Sequence, residues 1–338
     1  MQKDVDIKED EYRKRKRRFL FIWFFFLTIF LSTITYAWFT SNRIVELEFF
    51  DIHVETDGGL EISENAIDWK AQLLVDDLKN AYKTYPSSLN QIPGEMKPMS
   101  SGGGVDTNGF LNMFYGQADY GTGGNYFLTT YRKIEERTTD ESNHGDFIAF
   151  DVFIKSQMPK TIYLSSDSFV RPKEGESKGI ENSARIAFIK EGNLPTESNI
   201  TTVQNLKTSS DGNVILWEPN YDVHTEHGII NARKFYNIDT TVSNASVIPY
   251  DGVIGTVTSG AMVPISDANS TNYPGLFQRV DVDIYTKSTN NENKELFNVE
   301  AGITKIRVYM WLEGQDVDSE NSASHGEITF FLEFTLNP

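Results

Sequence analysis

The chain contains no cysteine. That single absence excludes cysteine nucleophiles, iron–sulfur clusters, thiolate zinc sites, lipoprotein-type acylation and disulfides. An exported protein without disulfides is held by its core alone, which fits a Gram-positive surface better than an animal secretory pathway. Histidine is nearly as scarce: His53, His144, His224, His227 and His325 are all there are. His224 and His227 form the one close pair. Their spacing is one residue short of those that put two imidazoles on one helical face around zinc, and the pair reads as solvated loop.

Catalytic signatures are missing too. Gly175-Glu176-Ser177-Lys178-Gly179 has the letters of a Gly-x-Ser-x-Gly elbow but sits among charged residues instead of directly after an apolar strand, and there is no Ser-x-x-Lys with supporting motifs. Gly121-Thr122-Gly123-Gly124 has no following Lys and no strand-to-helix context, so it is no phosphate loop. Carboxylates are plentiful, but nothing distinguishes one pair from another as a glycosidase dyad. Asp281 and Asp283 read as the wet side of a strand. Leu194-Pro195-Thr196-Glu197 lacks the Gly of a sortase signal. The expectation is a non-enzyme without a resident cofactor.

Positive charge is scarce beyond the first 42 residues. Those residues hold 8 of the 31 basic and 5 of the 48 acidic residues, so the remainder carries 23 basic against 43 acidic, a net of −20. Such a surface argues against nucleic acid or anionic headgroups as partners.

What is present begins with six consecutive basic residues, Arg13 to Arg18, running straight into Phe19–Phe39. Those 21 residues contain no charge. At about 1.5 Å per residue they make roughly 31 Å of helix, one hydrocarbon thickness. Lys and Arg beside a span stay cytoplasmic. Residues 1–18 are therefore expected inside as a basic segment, 19–39 as a transmembrane or signal helix, and 40–338 as the extracellular part. The run is longer than a usual signal core, which favours a retained membrane anchor. Thr35-Tyr36-Ala37 nonetheless has the small-x-small form that a signal peptidase cuts, with Trp38 as the new N-terminus. A type IV pilin leader needs Gly before the cut and Glu five residues into the helix, and neither is present.

The exported part reads as strands. Val45, Leu47 and Phe49 alternate on one face, followed by Ile52 and Val54, and the parity shift between Phe49 and Phe50 is what a β-bulge does. Asn65 is expected to cap the one amphipathic helix, with Ile67, Ala71, Leu74, Leu78 and Tyr82 on one stripe and Pro86 just beyond its end. Glycines and prolines crowd residues 86–125 and leave little room for regular elements. Tyr115, Tyr120 and Tyr126 lie among or beside them. Strands are expected at Asp146–Lys155, Thr161–Ser165, Ala184–Lys190, Asn213–Trp217, Val253–Thr258, Leu276–Lys287, Ile306–Leu312 and Ile328–Leu336. About ten short strands with polar turns predict a mainly β, antiparallel sandwich.

One loop has ligand-like spacing. Asp316, Asp318 and Glu320 alternate, and Glu327 falls at the twelfth position, as in half of a calcium loop. Asn321 stands where Gly is wanted and the flanks read as strands, so a polar hairpin turn is the other reading.

Three segments carry a resemblance. Thr35-Tyr36-Ala37-Trp38-Phe39-Thr40 after an apolar run resembles the SipW-type signal peptides of the TasA and camelysin proteins of Firmicutes. Ala184-Arg185-Ile186-Ala187-Phe188 with Trp217-Glu218-Pro219-Asn220, and Ile306 to Gly314, are similar to a poorly characterised set of exported clostridial surface proteins sharing that leader. The resemblance implies a jelly-roll-like sandwich released by a dedicated signal peptidase. It also implies a strand, Arg43 to Glu55 by position, that inserts into the next subunit and builds a biofilm-matrix filament. Two readings stand side by side. One is a self-assembling cell-surface structural protein that adds strands through Val45, Leu47, Phe49, Ile52 and Val54. The other is a membrane-anchored extracellular module that binds carbohydrate or a neighbouring surface protein.

Overall fold

Alternation sets the architecture. In the C-terminal strand Glu327–Thr335, Ile328, Phe330, Leu332 and Phe334 all face one way and are fully buried. The central strand Gly302–Glu313 sends Ile306, Val308, Met310 and Leu312 into the same core, while Tyr309 and Trp311 are buried on its other face. One sheet is thus covered on one side by a second sheet and on the other by a layer of loops and short elements.

The computed structural model describes residues 16, 19, 45–47, 52–54, 59–121, 125–135, 145–173, 177, 179–289, 292–319 and 326–338. Among these, the protein is mainly β, with one ten-stranded and one eight-stranded sheet and a small two-stranded one. In the larger sheet the central strand lies between Ile148–Ser156 and Ala184–Leu194, antiparallel to both. Val214–Glu218 extends it beyond Ala184–Leu194. Pro98–Ser100 runs parallel to the end of the central strand and joins the hairpin Met113–Tyr120/Tyr126–Lys133 to it. The smaller sheet is built on the C-terminal strand, with Lys160–Leu164 and Phe169–Pro172 on one flank. Its other flank is taken by the N-terminal strands Val45–Leu47 and Ile52–Val54, both parallel to it. The sheets are therefore mixed rather than purely antiparallel.

Phe49 and Phe50, between which the sequence shifts parity, lie outside the described residues, but the strands on either side of them are described. Leu47 pairs with Ile328, and five residues later Ile52 pairs with Leu332, only four further on. The two registers differ by one residue. Val45, Ile52 and Val54 can therefore all reach the core despite their opposite parity.

Other expectations need correction. The long helix after Asn65 is reduced to Val75–Asn80 and a 3₁₀ turn, Ala81–Lys83. Asn65 caps only a turn, its Oδ1 accepting from the amides of Ile67 and Asp68. Gln72–Leu73 pairs instead with Ile52–Val54, so sheet pairing has overridden the helical stripe and left Ile67 and Leu74 half exposed. Two further short helices, Ile200–Gln204 and Glu226–Asn231, were not anticipated. Residues 86–121 hold more regular structure than their glycines and prolines suggest, namely Pro98–Ser100 and the first strand of the hairpin. Tyr115 faces Tyr131 across that hairpin, and Tyr120 packs edge-on to Tyr126 at 5.1 Å between centroids. The strand foreseen over Leu276–Lys287 is two pieces, Phe277–Arg279 and Ile284–Tyr285, and that over Val253–Thr258 is Asp251–Val253.

Thr35, Ala37, Trp38 and the span 19–39 lie outside the described residues, apart from Phe19. Among the described residues no helix is long and apolar enough to cross a membrane.

Candidate functional site

Two places combine chemistry with geometry. The first is the N-terminal strand. It lies inside the smaller sheet, between the C-terminal strand and the two-residue strands Glu95–Met96 and Gln72–Leu73. Val45, Ile52 and Val54 fill the sandwich core, whereas His53 packs edge-on against Phe331 at 5.1 Å. Leu47 has its backbone in the strand opposite Ile328, and Phe49 lies outside the described residues. At about 1.5–3 kcal/mol per buried aliphatic side chain, the three described ones contribute roughly 5–9 kcal/mol. That is comparable to the whole net stability of a domain.

The second place is the end of the central strand, where polar groups are buried together. Arg185 Nη2 lies 2.6 Å from Asp316 Oδ2 and 3.2 Å from Glu218 Oε2. Its Nη1 donates to the carbonyls of Ala184 and Asn182, while Nε has no acceptor among the described residues. One guanidinium cannot neutralise two carboxylates. Burial accordingly pushes Glu218 up to about 7, Arg185 opposing and Asp316 reinforcing the shift. Burial lifts Glu313 to about 7 as well, against donors from Trp311 Nε1 at 2.9 Å and the Gln315 amide at 3.0 Å. The Tyr250 hydroxyl is buried nearby with no partner among the described residues, and Arg185 lies 5.0 Å over its ring.

His224 belongs to the same end. It is buried rather than solvated, and its Nδ1 is 2.7 Å from Asp318 Oδ2. Burial alone would lower its pKa, but the Asp318 hydrogen bond and charge outweigh that and raise it to about 9. Burial lifts Asp318 to about 6, against the His224 bond, so at neutral pH the two form an ion pair. Thr225 then caps the helix Glu226–Asn231 by accepting from the Gly228 amide, and it also donates to Asp318. A π-helical turn, Ala232–Tyr236, follows directly.

This turn, the strand pair Asp251–Val253/Phe277–Arg279 and the loop after Glu313 enclose a cavity of about 460 Å³. Its size falls in the range of small-molecule sites. Asp251 and Asp316 line it with Arg279 and Lys234. Arg279 Nε is 2.7 Å from Asp251 Oδ1 but lies off the line of a hydrogen bond, leaving that buried oxygen without a donor. Burial raises the Tyr236 phenol, and the Asp251 charge adds to the effect.

The calcium candidates are divided among other duties. Asp316 serves Arg185 and the amide of Asp318, and Asp318 serves His224 and Thr225. Glu327 sits in the C-terminal strand, paired with Lys173 at 2.8 Å. Glu320 lies outside the described residues. Among the described residues no three acidic or histidine side chains gather in a metal-holding group. The Asp316–Ser319 stretch is a turn closed by the Ser319 amide on the Asp316 carbonyl. Asp281 and Asp283 do not share a strand; Asp283 accepts from the Leu216 amide at 2.8 Å.

A second buried network braces the outer face of the central strand. Arg307 donates to Asp151, Tyr309 and the Leu89 carbonyl, and Lys305 donates to Tyr85 and the carbonyls of Gln204 and Leu206. Burial alone would raise Asp151, but Lys305 and Arg307 hold it below the usual carboxylate range. Both cations are spent on internal partners, so the network serves stability. Comparison with protein-family models, curated proteins and solved structures finds no match to the chain.

Proposed function

We propose that the protein is an exported cell-surface structural subunit that assembles by strand exchange. The observation that carries this reading is the N-terminal strand, an interior, core-filling strand held by short pairings directly behind the apolar run. When the strand of one copy fills the slot of the next, the same contacts are made between molecules that are otherwise made within one. Exchange is then nearly neutral in contact energy and is driven by concentration. Removal of residues 1–37 by a signal peptidase frees the segment from the membrane, and the filament forms outside the cell.

N-terminal sequencing of the mature protein, together with electron microscopy of cell-surface material, tests the reading. A start at Trp38 accompanied by filaments is expected. An intact N-terminus on a monodisperse, membrane-bound protein contradicts it.

A further inference from the structure

The cavity at the end of the central strand is not used by strand exchange. Its lining favours one chemistry. The side-chain amides of Asn231, Asn272 and Gln315 each donate a nitrogen to the protein's own backbone, namely the carbonyls of Val317, Asp267 and Ala268. Each amide is thereby oriented, with its oxygen left as an acceptor. Asp251 Oδ1 belongs to the same wall but is buried behind it and ion-paired with Arg279 at 2.7 Å, so it is not among the oxygens open to a ligand. Three oriented amides lining one cavity suit a ligand rich in O–H groups.

Charge narrows the choice. Two acids, Asp251 and Asp316, and two bases, Lys234 and Arg279, line the cavity, so its wall carries no net charge. A phosphate or polyanion finds two carboxylates in its way, and a metal ion finds two cations. Phe235, in the same lining, is 47% exposed, with Lys234 Nζ 5.0 Å from the centre of its ring, and sets an aromatic ring beside these polar groups. An aromatic ring next to oriented acceptors matches a pyranose, which has an apolar C–H face and a hydroxyl edge. We infer that this cavity is a binding site for an uncharged sugar unit, a hexose or N-acetylhexosamine. On a surface subunit it would let a filament hold neutral polysaccharide, though the site itself does not depend on assembly.

Saturation-transfer NMR on the full chain, kept in a detergent without a sugar headgroup, tests this directly. The probes are glucose, galactose, mannose, N-acetylglucosamine and N-acetylgalactosamine, each at millimolar concentration, with glycine as a comparison ligand and calcium chloride followed in parallel by calorimetric titration. Transfer to at least one sugar is expected. Gln315→Ala and Phe235→Ala should each weaken it by roughly three- to tenfold, the equivalent of one hydrogen bond or one ring contact. Phe235 is half exposed, so its removal leaves the fold intact and an unchanged melting temperature will show this. No transfer to any of the five sugars overturns the inference. So does transfer undiminished in both variants, or binding of glycine or calcium alone.

Discussion

The buried carboxylates predict that acid stabilises this protein, against the usual trend. Glu218 and Glu313 have ordinary values of 4.5 and are each raised to about 7 in the fold. A raised group binds its proton more tightly when folded. Its contribution to stability is therefore fully present below about pH 4.5 and is lost as pH rises through about 7. Between about pH 5.5 and 8 each such group changes stability by about 2 kcal/mol at 1.36 kcal/mol per pH unit. Both lie beside Arg185, so about 4 kcal/mol is an upper figure for the two. His224, raised to about 9, acts in the same direction over this window. Asp151 is lowered, and its contribution disappears only in stronger acid. At about 2–4 °C per kcal/mol for a domain of this class, the melting temperature should rise by roughly 8–16 °C from pH 8 to pH 5.5. Glu218→Gln mimics the protonated form. It should raise the melting temperature at pH 8 and shrink the pH span by about 4–8 °C. Calorimetric scans of both proteins at the two pH values measure this. A wild-type melting point that is flat or falls toward pH 5.5, or a Glu218→Gln variant less stable at pH 8, refutes the reasoning.

Two further outcomes follow from the placement of named residues. Leu47→Asp puts a charge in the strand opposite Ile328 and should block filament growth, while circular dichroism still reports a folded sandwich; normal filaments from this variant rule out insertion through the segment. Adding calcium, or a chelator, should leave the melting temperature unchanged, because Asp316 and Asp318 are already bound to Arg185 and His224. A calcium-dependent rise of several degrees contradicts that assignment.

Strands were the legible part, because one buried face imposes a period of two on the sequence. Ile328 to Phe334 are readable for that reason. The stretch after Asn65 reads as a longer helix than it forms because Ile67, Ala71, Leu74 and Leu78 fit a helical stripe locally. Only the partner strand Ile52–Val54, distant in sequence, decides that Gln72–Leu73 extends. The glycines near residue 102 look like disorder by composition, yet they serve close packing. A Cβ on Gly252 would sit 2.0 Å from the Ser101 carbonyl, and one on Gly102 would sit 2.3 Å from Ile254. The polar cluster left no readable signal. Arg185, Arg307 and Glu313 alternate with apolar residues as they would on a wet sheet face, and nothing local reveals the third layer that covers them. His224 likewise finds Asp318 only through the fold, across 94 residues.

The most direct test of strand exchange uses the absence of native cysteine. His53 and Glu333 are partners across the parallel pair of N- and C-terminal strands, and His53 packs on the same side as Phe331. Purified His53→Cys and Glu333→Cys chains are mixed, allowed to assemble, and oxidised. The account predicts disulfide-linked dimers and no such product when assembly is blocked by Leu47→Asp. The double variant, oxidised as a monomer, should link within one chain and no longer assemble. Filaments that form normally from the internally locked double variant contradict the account.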